Sequence, residues 1–182
     1  GFLYSFALKN SKTIFFQNKE DCDYFISKGL ATKENATLLP GSGVNLKKFI
    51  FSPNNKTATP FHFLFMGRLL YSKGIAEFID ASIKLRKLYS EFECSIYGIL
   101  QNQSDPDAVE EDYLKRISSR NPFIQFYGST DQPEEAIRKS HCVVLPSYYN
   151  EGTPKILLNT SNGLPPPELL IPSNCRNPSS PN

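Results

Sequence analysis

One segment, residues 61–89, limits most strongly how this chain can fold, because it joins an apolar run to an amphipathic helical pattern through a short basic loop. The run 61–66 has no Asp, Glu, Lys or Arg and is bounded by Pro60 and Gly67, which predicts a β-strand buried on both faces. After Gly74 the residues of the predicted buried face recur at 3.6-residue spacing. They are Ile75, Phe78, Ile79, Ser82, Leu85 and Tyr89. The segment is therefore predicted to form a strand, a short loop and a helix.

The predicted loop carries two cations, Arg68 and Lys73, immediately before the start of the helix. The N-terminus of a helix already favours an anion, because its backbone N–H groups are unpaired and its dipole is positive there. A planar guanidinium and a compact ammonium together suit a diphosphate. The alternative is that both are solvated loop cations, since Arg and Lys are mostly exposed in proteins.

Short apolar runs alternate with helical patterns along most of the chain. The predicted strands are 12–17, 36–40, 61–66, 92–97, 123–127 and 142–145. This alternation predicts right-handed βαβ crossovers and an α/β fold, a Rossmann-like parallel sheet with flanking helices. Ligands of such sheets bind at the carboxyl ends of the strands. Residues predicted to lie at that edge are Gly67, Arg68, Gly98, Gly128 and 147–153, which favours a functional role for Arg68.

Composition excludes several classes of function. The 182 residues carry a net charge of +2, with cations and anions interspersed, so no basic face for nucleic acid is predicted. No apolar run approaches the roughly 20 residues that span a bilayer. The spacing of acidic residues suggests no metal site.

Cysteine usage predicts a reducing, cytoplasmic compartment. None of the four cysteines forms a C-x-x-C pair, so neither a zinc site nor a redox motif is predicted. Cys94 and Cys142 lie in apolar runs and are predicted to be inert buried thiols. His62 and His141 each open a strand without an accompanying acid or nucleophile, which predicts structural roles.

The C-terminal residues depart from the α/β pattern. Three consecutive prolines at 165–167 exclude a central strand, because proline donates no hydrogen bond to a neighbouring strand. The polar, proline- and serine-rich residues from 172 onward are predicted to be poorly ordered.

Three motifs occur in a familiar order: PGSGVN at 40–45, GRLLYSKG at 67–74 and LPSYYNEGTPKILLN at 145–159. With YG at 97–98 and FYG at 126–128, they resemble the donor half of the family-4 retaining glycosyltransferases, which have the two-domain GT-B fold. The resemblance covers residues 1 to about 165.

This resemblance implies a domain organisation. Residues 1–38 would be a remnant of the N-terminal acceptor domain, most of which is expected to be missing. Residues 39–164 would be the Rossmann-like domain that binds the nucleotide sugar, and 165–182 a proline-rich irregular tail. Truncation, a reading-frame shift and misassembled sequence all remain open as explanations of that tail.

The resemblance also implies site residues. Arg68 and Lys73 match the pair that clamps the nucleotide diphosphate and stabilises its charge as it departs. Glu151 matches a glutamate that contacts hydroxyls of the donor sugar and orients it. Gly43 matches the glycine of the hinge loop that faces the cleft between the domains.

Further donor contacts are implied at the segment that begins with Glu151. The backbone amides of Gly152 and Thr153 would face the sugar and phosphate at a helix N-terminus. Asn159 stands where the family has a second glutamate that binds the ribose. An asparagine can still donate and accept, but the charge-assisted bond, roughly twice as strong as a neutral one, is lost.

The expected function is transfer of a hexose, with retention, from a UDP- or GDP-linked sugar to a saccharide or lipid-linked acceptor. No metal or other cofactor and no nucleic-acid partner are expected. A cytoplasmic location at the inner face of a membrane, with peripheral association, is compatible with this function, and the isolated chain is expected to be inactive. The alternatives are a non-catalytic nucleotide-binding or interaction module and another GT-B enzyme such as a nucleotide-sugar epimerase. The base, sugar, acceptor, linkage and oligomeric state stay open.

Overall fold

The computed structural model describes residues 2–8, 10–39, 43, 45, 47–49, 59–102, 104–148 and 156. These residues fall into two compact units, one that includes the described residues up to Gly43 and one that includes those from 45 to 148. The predicted irregular tail, 165–182, lies outside the described residues. No helix in the described part of the chain combines the length and the apolar character needed to cross a membrane.

The first unit contains two helices and two short parallel strands. Its elements are α1 (Phe2–Leu8), β1 (Ile14–Phe16), α2 (Lys19–Ser27) and β2 (Ala36–Leu38). Ile14 of β1 lies opposite Ala36 of β2. Helix α2 begins after Asn18, whose side-chain oxygen accepts the backbone N–H of Asp21 at 2.7 Å and so satisfies one donor of the first turn.

The second unit is an α/β sheet with the predicted parallel strands. Its elements are β3 (Phe61–Leu69), a 3-10 turn (Tyr71–Lys73), α3 (Ile75–Arg86), β4 (Phe92–Leu100), α4 (Glu111–Arg120), β5 (Ile124–Gly128), α5 (Pro133–Lys139) and β6 (Cys142–Val143). The order of the strands in the sheet is β5-β4-β3-β6, and every pairing is parallel. The predicted fold class, a parallel sheet with flanking helices, is confirmed.

The strand order reverses between β3 and β6. From β3 the chain adds β4 and then β5 on one side, and after β5 it returns to place β6 on the other side of β3. Such a reversal opens a crevice at the carboxyl ends of the two strands, where open α/β sheets bind their ligands. We call this place the β3–β6 switch point.

The hydrophobic core lies between one face of the sheet and helices α3 and α4. The centre of β3 is buried on both faces, as predicted, because Leu64 and Phe65 are each 1% exposed. Helix α3 packs the predicted residues Ile75, Phe78, Ile79 and Ser82 inward. The predicted buried face extends too far, because α3 ends at Arg86 and Tyr89 is exposed beyond it.

Strands β3 and β4 were predicted to end at Gly67 and Gly98. They instead continue to Leu69 and Leu100. Gly67 and Gly98 lie opposite each other in the sheet, and a Cβ on Gly98 would be 2.3 Å from the carbonyl oxygen of Gly67. Gly98 therefore permits a close approach inside the sheet, and neither glycine marks the end of its strand.

The apolar residues of 108–118 are spaced as in a helix and predict one that begins at Ala108, but α4 begins at Glu111. Ala108 instead forms an antiparallel bridge with Leu70, and the N–H of Val109 donates to the carbonyl of Leu69 at 3.1 Å. Both side chains are buried, at 8% and 0% exposure for Ala108 and Val109. Tertiary pairing with the end of β3 therefore holds Ala108 and Val109 at the sheet, and the helix begins only after them.

Candidate functional site

The 3-10 turn Tyr71–Lys73 carries Lys73 to the start of α3, next to the β3–β6 switch point. Lys73 is only 6% exposed, whereas Arg68, the penultimate residue of β3, is exposed. The alternative of two solvated loop cations is therefore wrong for Lys73. Taking a charged side chain out of water is costly, so the fold must compensate for the burial of this cation.

Gly74 places the start of α3 directly against the segment that follows β6. A Cβ at this position would lie 2.3 Å from the carbonyl oxygen of Pro146, and the φ angle of Gly74 is 77°, in the left-handed region. Both observations require glycine. The contact fixes the distance between the first turn of α3 and the carboxyl end of β6.

Ser72 connects the 3-10 turn to two other segments. Its N–H donates to Asp107 Oδ1 at 2.9 Å and its hydroxyl donates to Asp107 Oδ2. Its carbonyl accepts the N–H of Tyr148 at 3.2 Å and the hydroxyl of Ser147 at 3.4 Å. The turn is thus held between the segment before α4 and the segment after β6.

Two acidic residues border the turn. Partial desolvation, together with the negative charges of Glu77 and Asp107, raises the pKa of the Tyr148 phenol above its ordinary value. The nearby carboxylates would repel an anion that binds here. The two cations predicted from the sequence, Arg68 and Lys73, supply the opposite charge.

Sequence reasoning missed Ser72 and Asp107, whereas Ser147 belongs to the segment 147–153 that was predicted to lie at the carboxyl edge of the sheet. Asp107 lies 35 positions after Ser72, and Ser147 lies 75 positions after it. For Asp107, nothing in the local pattern marks a residue that meets the turn only through the tertiary structure. A serine directly before the predicted phosphate-binding lysine was the one available signal.

The other predicted site residues are not tested by this geometry. Gly43 belongs to the first unit and has a φ angle of 71°, with open space where a Cβ would lie. The remaining predicted residues, Glu151, Gly152, Thr153 and Asn159, lie outside the residues that the structure describes. Within the described part of the chain, no three His, Cys, Asp or Glu side chains gather as a metal site would require.

The strand order defines the class of open parallel α/β sheets, whose ligands bind beyond the carboxyl ends of the strands at the point where the order reverses. The model of the family described as glycosyl transferases group 1 matches residues 47–165, more than half of the 182-residue chain. The chain therefore belongs to this family. No curated protein matches its sequence significantly.

Solved structures of glycosyltransferases with the GT-B fold share the architecture. Sucrose-phosphate synthase from Thermosynechococcus elongatus superposes with a TM-score of 0.67 at 16% identity, over 93% of this chain and 43% of that chain. Anabaena Alr3699/HepE, solved in complex with UDP, gives 0.69 at 16% identity, over 86% and 44%. The pneumococcal O-GlcNAc transferase GtfA, in complex with UDP and GlcNAc, gives 0.65 at 18% identity, over 93% and 31%. The chain spans less than half the length of each.

Proposed function

We propose that this chain is the donor-binding part of a glycosyltransferase and that it holds the diphosphate of a nucleotide sugar at the β3–β6 switch point. The observation that carries the proposal is the burial of Lys73, at 6% exposure, where α3 begins. A cation enclosed beside a helix N-terminus suits an anionic ligand. Membership of the glycosyl transferases group 1 family supports the same assignment.

The proposed chemistry breaks the bond between the anomeric carbon of the sugar and the diphosphate oxygen, while an acceptor hydroxyl attacks that carbon. Arg68 and Lys73 stabilise the negative charge that develops on the departing diphosphate. Glu151 orients the donor sugar through its hydroxyls, and the backbone amides of Gly152 and Thr153 face sugar and phosphate.

Two further residues complete the proposed donor site. Asn159 contacts the nucleotide ribose through neutral hydrogen bonds. Gly43 lies in the hinge loop that faces the acceptor side. We propose that no metal or other cofactor takes part, so that the cationic side chains and the backbone amides together bind the diphosphate.

The proposed donor is a hexose linked to UDP or GDP, transferred with retention to a saccharide or lipid-linked acceptor. UDP is the first nucleotide to test, because Anabaena HepE and pneumococcal GtfA were solved with UDP. The acceptor would be bound by an N-terminal domain of a longer protein, at the cytoplasmic face of a membrane. The 182-residue chain alone is expected to transfer little or no sugar.

Calorimetric titration of the 182-residue protein with UDP and GDP in the presence of EDTA tests the proposal. We expect the nucleotide to bind in EDTA as well. Arg68→Ala and Lys73→Ala should each weaken this binding about 10- to 100-fold, the range for a charge-assisted hydrogen bond. Lys84→Ala is the matched control, because Lys84 is an exposed cation in the last turn of α3. Unchanged affinity in both site variants would reject the donor site.

Two outcomes separate the proposal from its alternatives. Sugar transfer by the isolated 182-residue protein would show that the acceptor domain is dispensable. A longer protein that includes an acceptor domain, binds UDP through Arg68 and Lys73 and yet transfers nothing would be a nucleotide-binding module instead.

A further inference from the structure

We propose that Asp107 is the positioning residue of the donor site: it fixes the Tyr71–Lys73 turn and thereby the place from which Lys73 reaches the diphosphate. The inference rests on the proposed function. It concerns a residue that lies in the segment between β4 and α4, outside the motifs that pointed to the site.

Asp107 makes three hydrogen bonds to two consecutive residues of the turn. Its carboxylate accepts the N–H of Ser72 at 2.9 Å through Oδ1 and the Ser72 hydroxyl through Oδ2. Its backbone carbonyl accepts the N–H of Tyr71 at 2.9 Å. The residue that follows these two is Lys73.

The turn depends on such outside support. Within it, the N–H of Lys73 donates to the Leu70 carbonyl at 3.1 Å and the N–H of Gly74 donates to the Tyr71 carbonyl at 2.8 Å. The hydrogen-bond geometry of a 3-10 helix is poorer than that of an α-helix, and such helices occur in short pieces. Contacts made from outside therefore decide where this turn lies.

Asp107 is itself anchored to the core. Its N–H donates to Asp105 Oδ1 at 3.0 Å, and the next two residues, Ala108 and Val109, pair with Leu70 and Leu69. Because Ala108 and Val109 are buried, the carboxylate is presented by a fixed segment of backbone.

The opposite side of the turn is fixed by the segment after β6. The Ser72 carbonyl accepts the Tyr148 N–H, and Gly74 packs against Pro146. The backbone of Lys73 is therefore held between two constrained neighbours. Asp107, in the segment between β4 and α4, holds one side of the turn, and the segment after β6 holds the other.

Both carboxylate oxygens of Asp107 are directed to Ser72, and a carboxylate repels a phosphate group. Asp107 is therefore a positioning residue, not a ligand. The sign of the effect makes the role testable, because removal of a negative charge beside an anion site should by itself strengthen anion binding.

The probe is inorganic pyrophosphate, which contains the diphosphate without base or sugar, titrated calorimetrically into the 182-residue protein in EDTA. We expect Asp107→Ala to weaken binding about tenfold, as loss of an interaction of about 1.4 kcal/mol would. Asp107→Asn should stay within about threefold of wild type, because its amide can accept the Ser72 N–H and donate to the Ser72 hydroxyl.

Two further variants complete the design. Ser72→Ala removes only the hydroxyl bond, and we expect pyrophosphate to bind about threefold more weakly, near the lower bound of a net hydrogen-bond contribution. Asp112→Ala is the matched control, an exposed carboxylate in the first turn of α4, and should bind pyrophosphate as tightly as wild type or more tightly. If Asp107→Ala does not fold, Ser72→Ala and Asp107→Asn decide the test, and a wild-type affinity in Ser72→Ala then overturns the proposal.

A nucleoside titration separates positioning from general damage. With uridine or guanosine, whichever matches the diphosphate that wild type binds, Asp107→Ala should keep its affinity while losing affinity for pyrophosphate. Equal losses for both probes would overturn the positioning role. Tight pyrophosphate binding by Asp107→Ala, with binding lost in Lys73→Ala, would overturn it as well and leave the proposed function intact. Unchanged binding in Arg68→Ala and Lys73→Ala would instead reject the proposed function.

Discussion

Gly74 and Pro146 meet so closely that a single added carbon cannot fit between them. A Cβ on Gly74 would lie 2.3 Å from the Pro146 carbonyl oxygen and 2.6 Å from the carbonyl carbon. The contact joins the first turn of α3 to the segment after β6, across the point where the strand order reverses. The width of the β3–β6 switch point therefore depends on one glycine.

Gly74→Ala should destabilise the protein by more than the left-handed backbone alone requires. The backbone term costs roughly 1–2 kcal/mol, and overpacking adds roughly 1–3 kcal/mol. Gly128→Ala isolates the first term, because Gly128 has a φ angle of 72° with nothing within 4 Å of its Cβ position. Urea unfolding measures both variants, and equal losses of unfolding free energy would show that Pro146 yields at little cost.

Salt should separate the roles of the two cations in diphosphate binding. Arg68 is exposed and Lys73 is 6% exposed, and salt screens exposed charges much more than buried ones. We expect the factor by which Arg68→Ala lowers the affinity for the diphosphate to shrink between about 0.05 and about 1 M NaCl, where the Debye length falls to about 3 Å. The factor by which Lys73→Ala lowers it should change little. Parallel salt dependence of the two variants would contradict this difference.

Cys94 should make the protein less stable at alkaline pH. Burial raises the pKa of this thiol from 9.0 to about 11, against smaller opposing effects of Ser82 and Arg86. Because the unfolded thiol ionises near pH 9 and the folded one does not, its stabilising contribution is complete below pH 9 and is lost as the pH rises to about 11. The expected loss is on the order of 2–3 kcal/mol at about 1.4 kcal/mol per pH unit.

Comparison with Cys94→Ala isolates this effect, because other groups titrate alike in both proteins. The free energy of unfolding should fall more steeply from pH 9 to about 11 in wild type than in the variant. Parallel pH profiles for the two proteins would contradict the assignment.

At about pH 8, below the ordinary thiol pKa, iodoacetamide should modify the half-buried Cys22 before the buried Cys94 and Cys142, as their predicted inertness requires.

His141 should contribute to stability through β3, as its predicted structural role implies. Its side-chain Nδ1 accepts the backbone N–H of His62 at 3.0 Å, and its backbone N–H donates to the His62 carbonyl at 2.8 Å. His141→Phe keeps a ring beside Phe61 but removes the acceptor, which should cost about 1–3 kcal/mol. His141→Asn keeps an acceptor and should cost less. Thermal or urea unfolding measures the stability that each variant loses, and His141→Phe should lose more than His141→Asn. A His141→Phe protein as stable as wild type would contradict the structural role.

Local patterns predicted the strand–helix order of the second unit, because a short apolar run and a 3.6-residue spacing can both be recognised from neighbouring residues. The same reasoning predicted Arg68 at the carboxyl edge of the sheet and Lys73 just before α3, although Arg68 lies within β3 and not in the loop that was predicted to carry both cations. It failed at Gly67 and Gly98, which local rules treat as strand ends. It also failed at Ala108, whose backbone pairs with Leu70 although its neighbours suit a helix.

The sequence alone determined the α/β class, most of the buried face of α3 and the two cations near the end of the central strand, because each depends on residues close together in the chain. Only the tertiary structure decided that β6 lies beside β3 and that Lys73 is buried. It alone also decided that Asp107, Ser72 and Tyr148 meet around one turn. These features depend on pairs of segments from 35 to 79 residues apart, whose approach is set by the packing of the whole sheet.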